Sequence, residues 1–264
     1  MDKRVWIKQM HQMHPKVHCL TNPVSMQDVA NILLAAGGSA IMAQNPAEVQ
    51  EITAFCQVTL LNTGVPDGEK IRACILAGKK ANELGHPVVL DPVGVGASTF
   101  RKEMLEWLLT EVQPTVIRCN QEEACTLLHT RGGISGGVES AVTVGSEEQE
   151  QIARAMAKTY GCISLISGMS DVISDGERSV VIEGGDRRIA RITGSGCMLS
   201  AVCALFCGAG VPAYEAVCTA AYIWKESART AGVRTDKNQG GMGSFHVHLF
   251  DALDQICHTE EEIQ

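Results

Sequence analysis

Short apolar runs alternate with longer amphipathic stretches along nearly the whole chain. Residues 2–14 carry a helical pattern that stops before Pro15, and 17–20 is an apolar strand closed by Thr21-Asn22-Pro23. Ser25, with Asp28 three residues on, is placed to cap a helix whose Val29, Ile32, Leu33 and Ala36 share one face; Gly37-Gly38 ends it. A second strand is expected at 39–42, a helix from Asn45-Pro46 through Phe55, and a third strand at 58–61. Asn62-Thr63-Gly64 and Pro66-Asp67-Gly68 then lead into a helix to Leu84. A strand at 87–90 runs into Asp91-Pro92-Val93-Gly94-Val95-Gly96, and Ser98 caps a helix through about Thr110. Residues 115–117 form a strand leading to Arg118-Cys119-Asn120, with a helix over 121–129 behind it. Beyond a glycine-rich loop at 131–138, Ser146 caps a helix over 147–160, and the strand at 163–166 ends in Ser167-Gly168. Residues 172–173 and 180–182 pattern as a hairpin around Asp175-Gly176. A strand is expected at 188–192, then helices at roughly 197–207 and 212–231, a glycine-rich loop at 239–244 and a last helix.

Strands alternating with helices predict an α/β fold: three αβα layers with a mostly parallel central sheet covered on both faces. No long linker or shift of composition divides residues 1–264, so one domain is expected. Ligands of such sheets sit at the carboxyl ends of strands. Asn22, Asn62, Asp91, Arg118, Asn120 and Ser167 all fall there.

Thr193-Gly194-Ser195-Gly196 is a tight turn feeding an apolar helix. Its glycines permit positive φ, and the free N–H groups and dipole of the helix start make an anion site suited to phosphate. An ordinary strand-to-helix turn gives the same pattern. Cys197 follows at about the first helical position, where the dipole is expected to lower its pKa; the alternative is a small buried hydrophobe. Asp91 suits a magnesium ligand or an Asx turn. Asn120 and Glu123 form an Asn-x-x-Glu pair that also reads as a capping box. Arg118 offers a fork for phosphates, though an isolated arginine is more often a surface charge. Together these residues are equipment for phosphoryl transfer, where positioning and charge neutralisation dominate. His246 and His248 are read as structural, and Cys203 with Cys207 as helix packing.

Composition narrows the classes. The 264 residues are 45% hydrophobic and 20% charged, with a net charge of −8 and no basic tract, which argues against a nucleic-acid partner. Aromatic residues are 4%, too few for base-stacking platforms. The 11 cysteines are scattered without a C-x-x-C pair, so no zinc or redox motif is signalled. No secretory or membrane-spanning apolar run occurs, and with free thiols this gives the expectation of a cytoplasmic protein with no membrane partner.

Taken in order, Thr21-Asn22, Met42, Leu61-Asn62-x-Gly64, Asp91-Pro-Val-Gly-x-Gly96, Arg118-x-Asn120-x-x-Glu123, Gly194-x-Gly196-Cys197 and Gly243-Ser-Phe245 resemble the hydroxyethylthiazole kinase family of the ribokinase-like superfamily, nearly end to end. The resemblance implies transfer of the ATP γ-phosphoryl group to the hydroxyl of 4-methyl-5-(2-hydroxyethyl)thiazole in thiamine salvage, with Mg²⁺. It implies that Arg118, Ser167 and Asn120 lie at ATP. Met42, Gly194, Asn22, Asn62 and Gly64 would surround the thiazole, and Asp91 and Glu123 would order the metal. The turn Gly194-Ser195-Gly196 and Cys197 would form the reacting centre, in a homotrimer with sites between subunits. Most ribokinase-like enzymes resemble one another in an Asp where Cys197 stands, so the thiol points to the thiazole branch and away from the hydrate dehydratases. Other small-alcohol kinases of this fold, acting on a pyrimidine or pyridine methanol, and a silent nucleotide or thiazole binder are the competing readings. Ser167, Ser195 and Pro23 depart from the residues more usual in the family.

Overall fold

The computed structural model describes residues 3–130 and 146–258. The glycine-rich loop at 131–138 and the side chain of Ser146 lie outside that description. The helices are α1 (Lys3–Met13), α2 (Met26–Ala35), α3 (Val49–Phe55), α4 (Gly68–Leu84), α5 (Thr99–Glu111), α6 (Gln121–Thr130), α7 (Ser146–Tyr160), α8 (Ser195–Gly208), α9 (Ala213–Lys237) and α10 (Met242–His258). The strands are β1 (Lys16–Leu20), β2 (Ser39–Ile41), β3 (Val58–Asn62), β4 (Val88–Asp91), β5 (Val116–Asn120), β6 (Ile163–Ser167), β7 (Asp171–Ser174) and β8 (Ser179–Ile182).

They form one eight-stranded sheet in the order β2-β1-β3-β4-β5-β6-β7-β8. Pairing is parallel from β2 to β6, and β7 and β8 add an antiparallel hairpin. The strands are apolar on both faces, because each face is covered. Val17, Val58, Leu60, Val89 and Val116 pack against α2, α8, α9 and α10. Leu61, Val88, Leu90, Ile117 and Ile166 pack against α4, α5, α6 and α7. The result is the three-layer α/β architecture of the pattern. Register sets Asn62 beside Asp91 and Asn120 beside Ser167, so the polar strand ends arrive side by side.

The cap expected at Ser98 forms, its side chain accepting from Arg101 N, and Asp67 caps α4 by accepting from Lys70 N. Ser25 does not cap with its side chain. Instead Asn22 Oδ1 accepts from Val24 N at 3.1 Å and Ser25 N at 3.2 Å, an Asx turn around Pro23. Helix α3 starts at Val49 rather than Asn45, whose side chain takes Ala47 N in a second such turn. The strand expected at 188–192 is a 3-10 helix, Arg187–Arg191. There the Asp186 carboxylate accepts from Arg188 N and grips its guanidinium, which reaches on to Asp236 at 2.7 Å. These side-chain bonds hold the segment as a turn in place of a strand. Helix α9 runs through Lys237, past the expected end at 231, and Gly232 leaves room for the Asp186 carboxylate against its face. Helix α10 likewise begins inside the expected glycine loop, at Met242.

Candidate active site

Helix α8 opens at Ser195 with Gly194 as its N-cap at φ 81°, so Cys197 is the third helical residue rather than the first. A side chain at Gly194 would be strained by that φ, and its Cβ would meet Ser25 Cβ at 2.7 Å. At Gly196 a Cβ would collide with the Arg118 guanidinium, so glycine here lets the helix start press against an arginine.

Cys197 Sγ accepts from Asn62 Nδ2 at 3.2 Å and lies 3.6 Å from Asn22 Nδ2. Asn62 Nδ2 also donates to Asp91 Oδ2 at 2.8 Å, and Ser200 Oγ donates to the same oxygen at 3.0 Å. Asn62 Oδ1 in turn accepts from Asn22 Nδ2 at 2.9 Å and Gly64 N at 3.0 Å. Arg118 Nη1 stands 3.6 Å from Asp91 Oδ1, and its Nη2 donates to Ser167 Oγ. Three strand ends, one mid-strand arginine and one helix start are thus linked in a single network, Cys197–Asn62–Asp91–Arg118–Ser167.

Asn120 and Glu123 form the reciprocal capping box: Glu123 N donates to Asn120 Oδ1 at 2.8 Å, and Asn120 N to Glu123 Oε2 at 2.9 Å. Glu123 Oε1 additionally accepts from Gly94 N at 2.8 Å, tying the loop after β4 to α6. Met42 is not brought to the network. It follows β2 at the sheet edge, half-buried against the core of the α8 face.

Beside Arg118 opens a cavity of about 780 Å³ whose walls include Ser167, Ser195, Gly196, the turn 168–170 and Trp224. Asn120 lies on its lining, whereas Cys197, Asn62 and Asp91 do not; they are joined to it through Arg118.

Burial pushes the Asp91 carboxyl above its ordinary value, opposed by Arg118 and by the donors Ser200 and Asn62. Burial also raises Glu123, against the N–H groups of Asn120 and Gly94. The Cys197 thiol is raised, not lowered as the helix dipole led us to expect. Desolvation is the largest cause, the Asp91 carboxylate adds to it, and Ser25, Asn62 and Arg118 oppose it.

Asp91 Oδ1 is buried and, among the described residues, accepts no hydrogen bond. An anionic oxygen left open in this way fits a hard divalent cation, directly or through water. Among the described residues no group of three or more His, Cys, Asp or Glu side chains is placed to hold a metal by itself. Phosphate oxygens and water would therefore have to complete the shell, as is usual for Mg²⁺. His246 instead stands 3.3 Å from Asp28, and His248 bonds Thr235.

Four residues absent from the motif reading join this region. Ser200 is three residues after Cys197 on the same helix face, a spacing legible from the helix period. Lys70 is buried one turn into α4; its Nζ donates to Gly64 O, and burial lowers its pKa. Lys225, a lone cation within an apolar stretch of α9, pairs with Asp171 beneath the turn 168–170.

The chain matches the hydroxyethylthiazole kinase family over residues 7–259. The hydroxyethylthiazole kinase of Pasteurella multocida is 40% identical over 264 residues, covering 97% of this chain and 94% of that protein. That of Clostridium botulinum is 37% identical over 254 residues, covering 95% and 90%. The solved structure of a hydroxyethylthiazole kinase protein from Pyrococcus horikoshii superposes with a TM-score of 0.85 at 30% identity, covering 98% of this chain and 96% of that one. An ADP complex of Bacillus subtilis pyridoxal kinase shares the fold, with a TM-score of 0.65 at 18% identity over 82% of this chain and 92% of its own.

Proposed function

The chain belongs to the hydroxyethylthiazole kinase family, and we propose that it transfers the γ-phosphoryl group of ATP to the hydroxyl of 4-methyl-5-(2-hydroxyethyl)thiazole in thiamine salvage. It is a phosphotransferase with an alcohol acceptor and a ribokinase-like fold. The observation that carries the site assignment is the network from Cys197 through Asn62 and Asp91 to Arg118, which joins the glycine turn to the 780 Å³ cavity.

In this reading ATP occupies the cavity, with Arg118, Ser167 and Asn120 on its polyphosphate side. The N–H group of Gly196 and the positive end of α8 receive the transferring phosphoryl group. Asn22, Asn62, Gly64 and Gly194 border the acceptor, with Cys197 at its hydroxyl. Asp91 and Glu123 order Mg²⁺, which neutralises charge on the β- and γ-phosphates when bound. Asn62 holds Sγ and Asp91 at fixed spacing, and Ser200 keeps the carboxylate oriented. A loose phosphoryl transition state asks little of a base, so a thiol of raised pKa is compatible with turnover.

The same reading takes the chain as one domain and as a cytoplasmic homotrimer with Met42 near a neighbouring subunit. All 11 cysteines are free, which suits a reducing compartment. No described helix is long and apolar enough to cross a membrane. The decisive test is ADP release with ATP, Mg²⁺ and a panel of alcohols. We expect turnover with hydroxyethylthiazole above pyrimidine and pyridine methanols. Turnover of one of those with none for the thiazole would replace the substrate, and binding of thiazole and ATP without ADP release would make the protein a silent binder.

A further inference from the structure

Lys225 carries its charge on the buried side of α9, with 9% of its side chain exposed. Its ammonium donates to Gly168 O at 2.8 Å and to Met169 O at 2.9 Å, and pairs with Asp171 Oδ1 at 3.1 Å. Asp171 is itself buried, and the same Oδ1 accepts from Gly168 N at 3.0 Å. The three N–H donors of one ammonium are therefore all directed at the turn 168–170 and the residue that follows it. That turn joins β6 to β7 and, with Lys225 and Asp171, lines the cavity beside Arg118. The residue just before it is Ser167, which receives the Arg118 bond.

A buried ammonium on a helix face otherwise made of Trp224, Ala221 and Ala228 is costly unless fully paired. An apolar side chain would pack there at less cost. What the ammonium adds is simultaneous control of two backbone carbonyls and a carboxylate, which an apolar residue cannot give. The turn itself is exposed, so without that anchor its carbonyls would be free to rotate toward water.

We propose that Lys225 is a positioning residue for the phosphoryl donor: clamped to Asp171, it fixes the turn 168–170 and, through it, the Ser167–Arg118 pair, so that the nucleotide wall is formed before the nucleotide binds. This rests on the reading that ATP occupies the cavity. Preorganisation of this kind shows in binding of the donor rather than in the chemical step.

The test is steady-state kinetics together with calorimetric titration of ADP, on Lys225→Met, on the double variant Lys225→Met/Asp171→Asn, and on Arg118→Ala as the control for the cavity. Lys225→Met leaves a buried carboxylate unpaired and loses stability on that account; the double variant removes that charge and regains melting temperature. In both, the KM for ATP and the Kd for ADP rise by about tenfold or more, while kcat at saturating ATP and the KM for the thiazole alcohol stay within about threefold. A merely structural lysine would move the melting temperature and leave the split between the two substrates unchanged. Unaltered ADP affinity in the folded double variant, with Arg118→Ala weakened, overturns the role of Lys225 alone. Unaltered affinity in all three variants overturns the cavity as the nucleotide site and the role of Lys225 with it.

Discussion

At Cys197 two electrostatic effects oppose one another. The N-terminus of α8 favours a thiolate, by typically about 0.3–1 kcal/mol for a surface charge. Burial and the Asp91 carboxylate disfavour it, and they win. If the thiolate takes the hydroxyl proton, wild-type kcat should rise with pH along a limb above the ordinary thiol value of 9.0. Cys197→Ala should lose that limb and fall by roughly 10–100-fold, less than a full general-base effect because the transition state is loose. Cys197→Asp should retain or raise kcat at neutral pH, with its limb moved far to the acid side. A folded Cys197→Ala enzyme with wild-type kcat and pH profile would leave Cys197 as packing. A second titrating residue bears on stability. His18 is buried between Thr53 Oγ1 and Ala43 O, and burial lowers its pKa from 6.5 to about 4. The fold therefore holds the neutral ring. Its contribution is complete above pH 6.5 and lost as pH falls toward 4, amounting to about 3 kcal/mol. Urea unfolding at neutral and mildly acid pH should show wild type losing stability on acidification, and His18→Gln losing less. Equal losses in the two proteins would remove His18 from the acid response.

Helix α8 concentrates two different uses of glycine within three residues, and they separate experimentally. Gly194→Ala forces an L-residue to φ 81° and drives its Cβ into Ser25, so it should lower the melting temperature by about 4 °C or more. Gly196→Ala sits in helical backbone and meets the guanidinium end of the buried Arg118. Its melting temperature should fall as well, because the guanidinium is pushed from the buried Asp91 carboxylate, but the KM for ATP should rise with it. An unstable Gly196→Ala with normal KM would show that the Arg118 contact is only packing. The same contrast of range explains what the chain revealed in advance. The cap at Ser98 and the Asn120–Glu123 box are local exchanges within three residues, so sequence spacing is enough to find them. The 3-10 helix at Arg187–Arg191 patterns as a strand in the sequence because its cause is partly remote: Asp236 on α9 helps to hold Arg188. Lys225 and Asp171 lie on different elements, and nothing in either segment alone signals their pairing. The Cys197 network was legible as a set of strand-end residues. Its thiol pKa was not, because desolvation depends on the packing of every neighbour.

Across the whole molecule the parallel sheet carries the acceptor side of the proposed site toward the β2 edge and the donor cavity toward the β7–β8 hairpin. The two sides are finished differently. The donor side is walled by α9 and the clamped turn 168–170. The acceptor side shows apolar groups without a cover: Val24, two residues from Asn22, and Val65, next to Gly64, are between 50% and 63% exposed. Val65 also holds φ 50°, a left-handed conformation that strains a β-branched side chain and persists where surroundings impose it. Strand β2 is three residues long and, among the described residues, has an unpaired outer edge, and Met42 follows it half-buried. Phosphoryl transfer to an alcohol needs water kept from the reacting hydroxyl, and a neighbouring subunit on this side would supply the cover. The resemblance to the family implies a trimer, so we predict a particle near three times the 28.3 kDa chain mass by light scattering. Met42→Glu should dissociate it and lose thiazole turnover, while calorimetric binding of ADP at the distant cavity persists. Val65→Asn should shift assembly without loss of chain stability, since asparagine tolerates positive φ and relieves the strain as it removes the apolar surface. A wild-type monomer with full thiazole kinase activity would overturn the shared-site assembly, and the exposed acceptor side would then be closed by this chain alone.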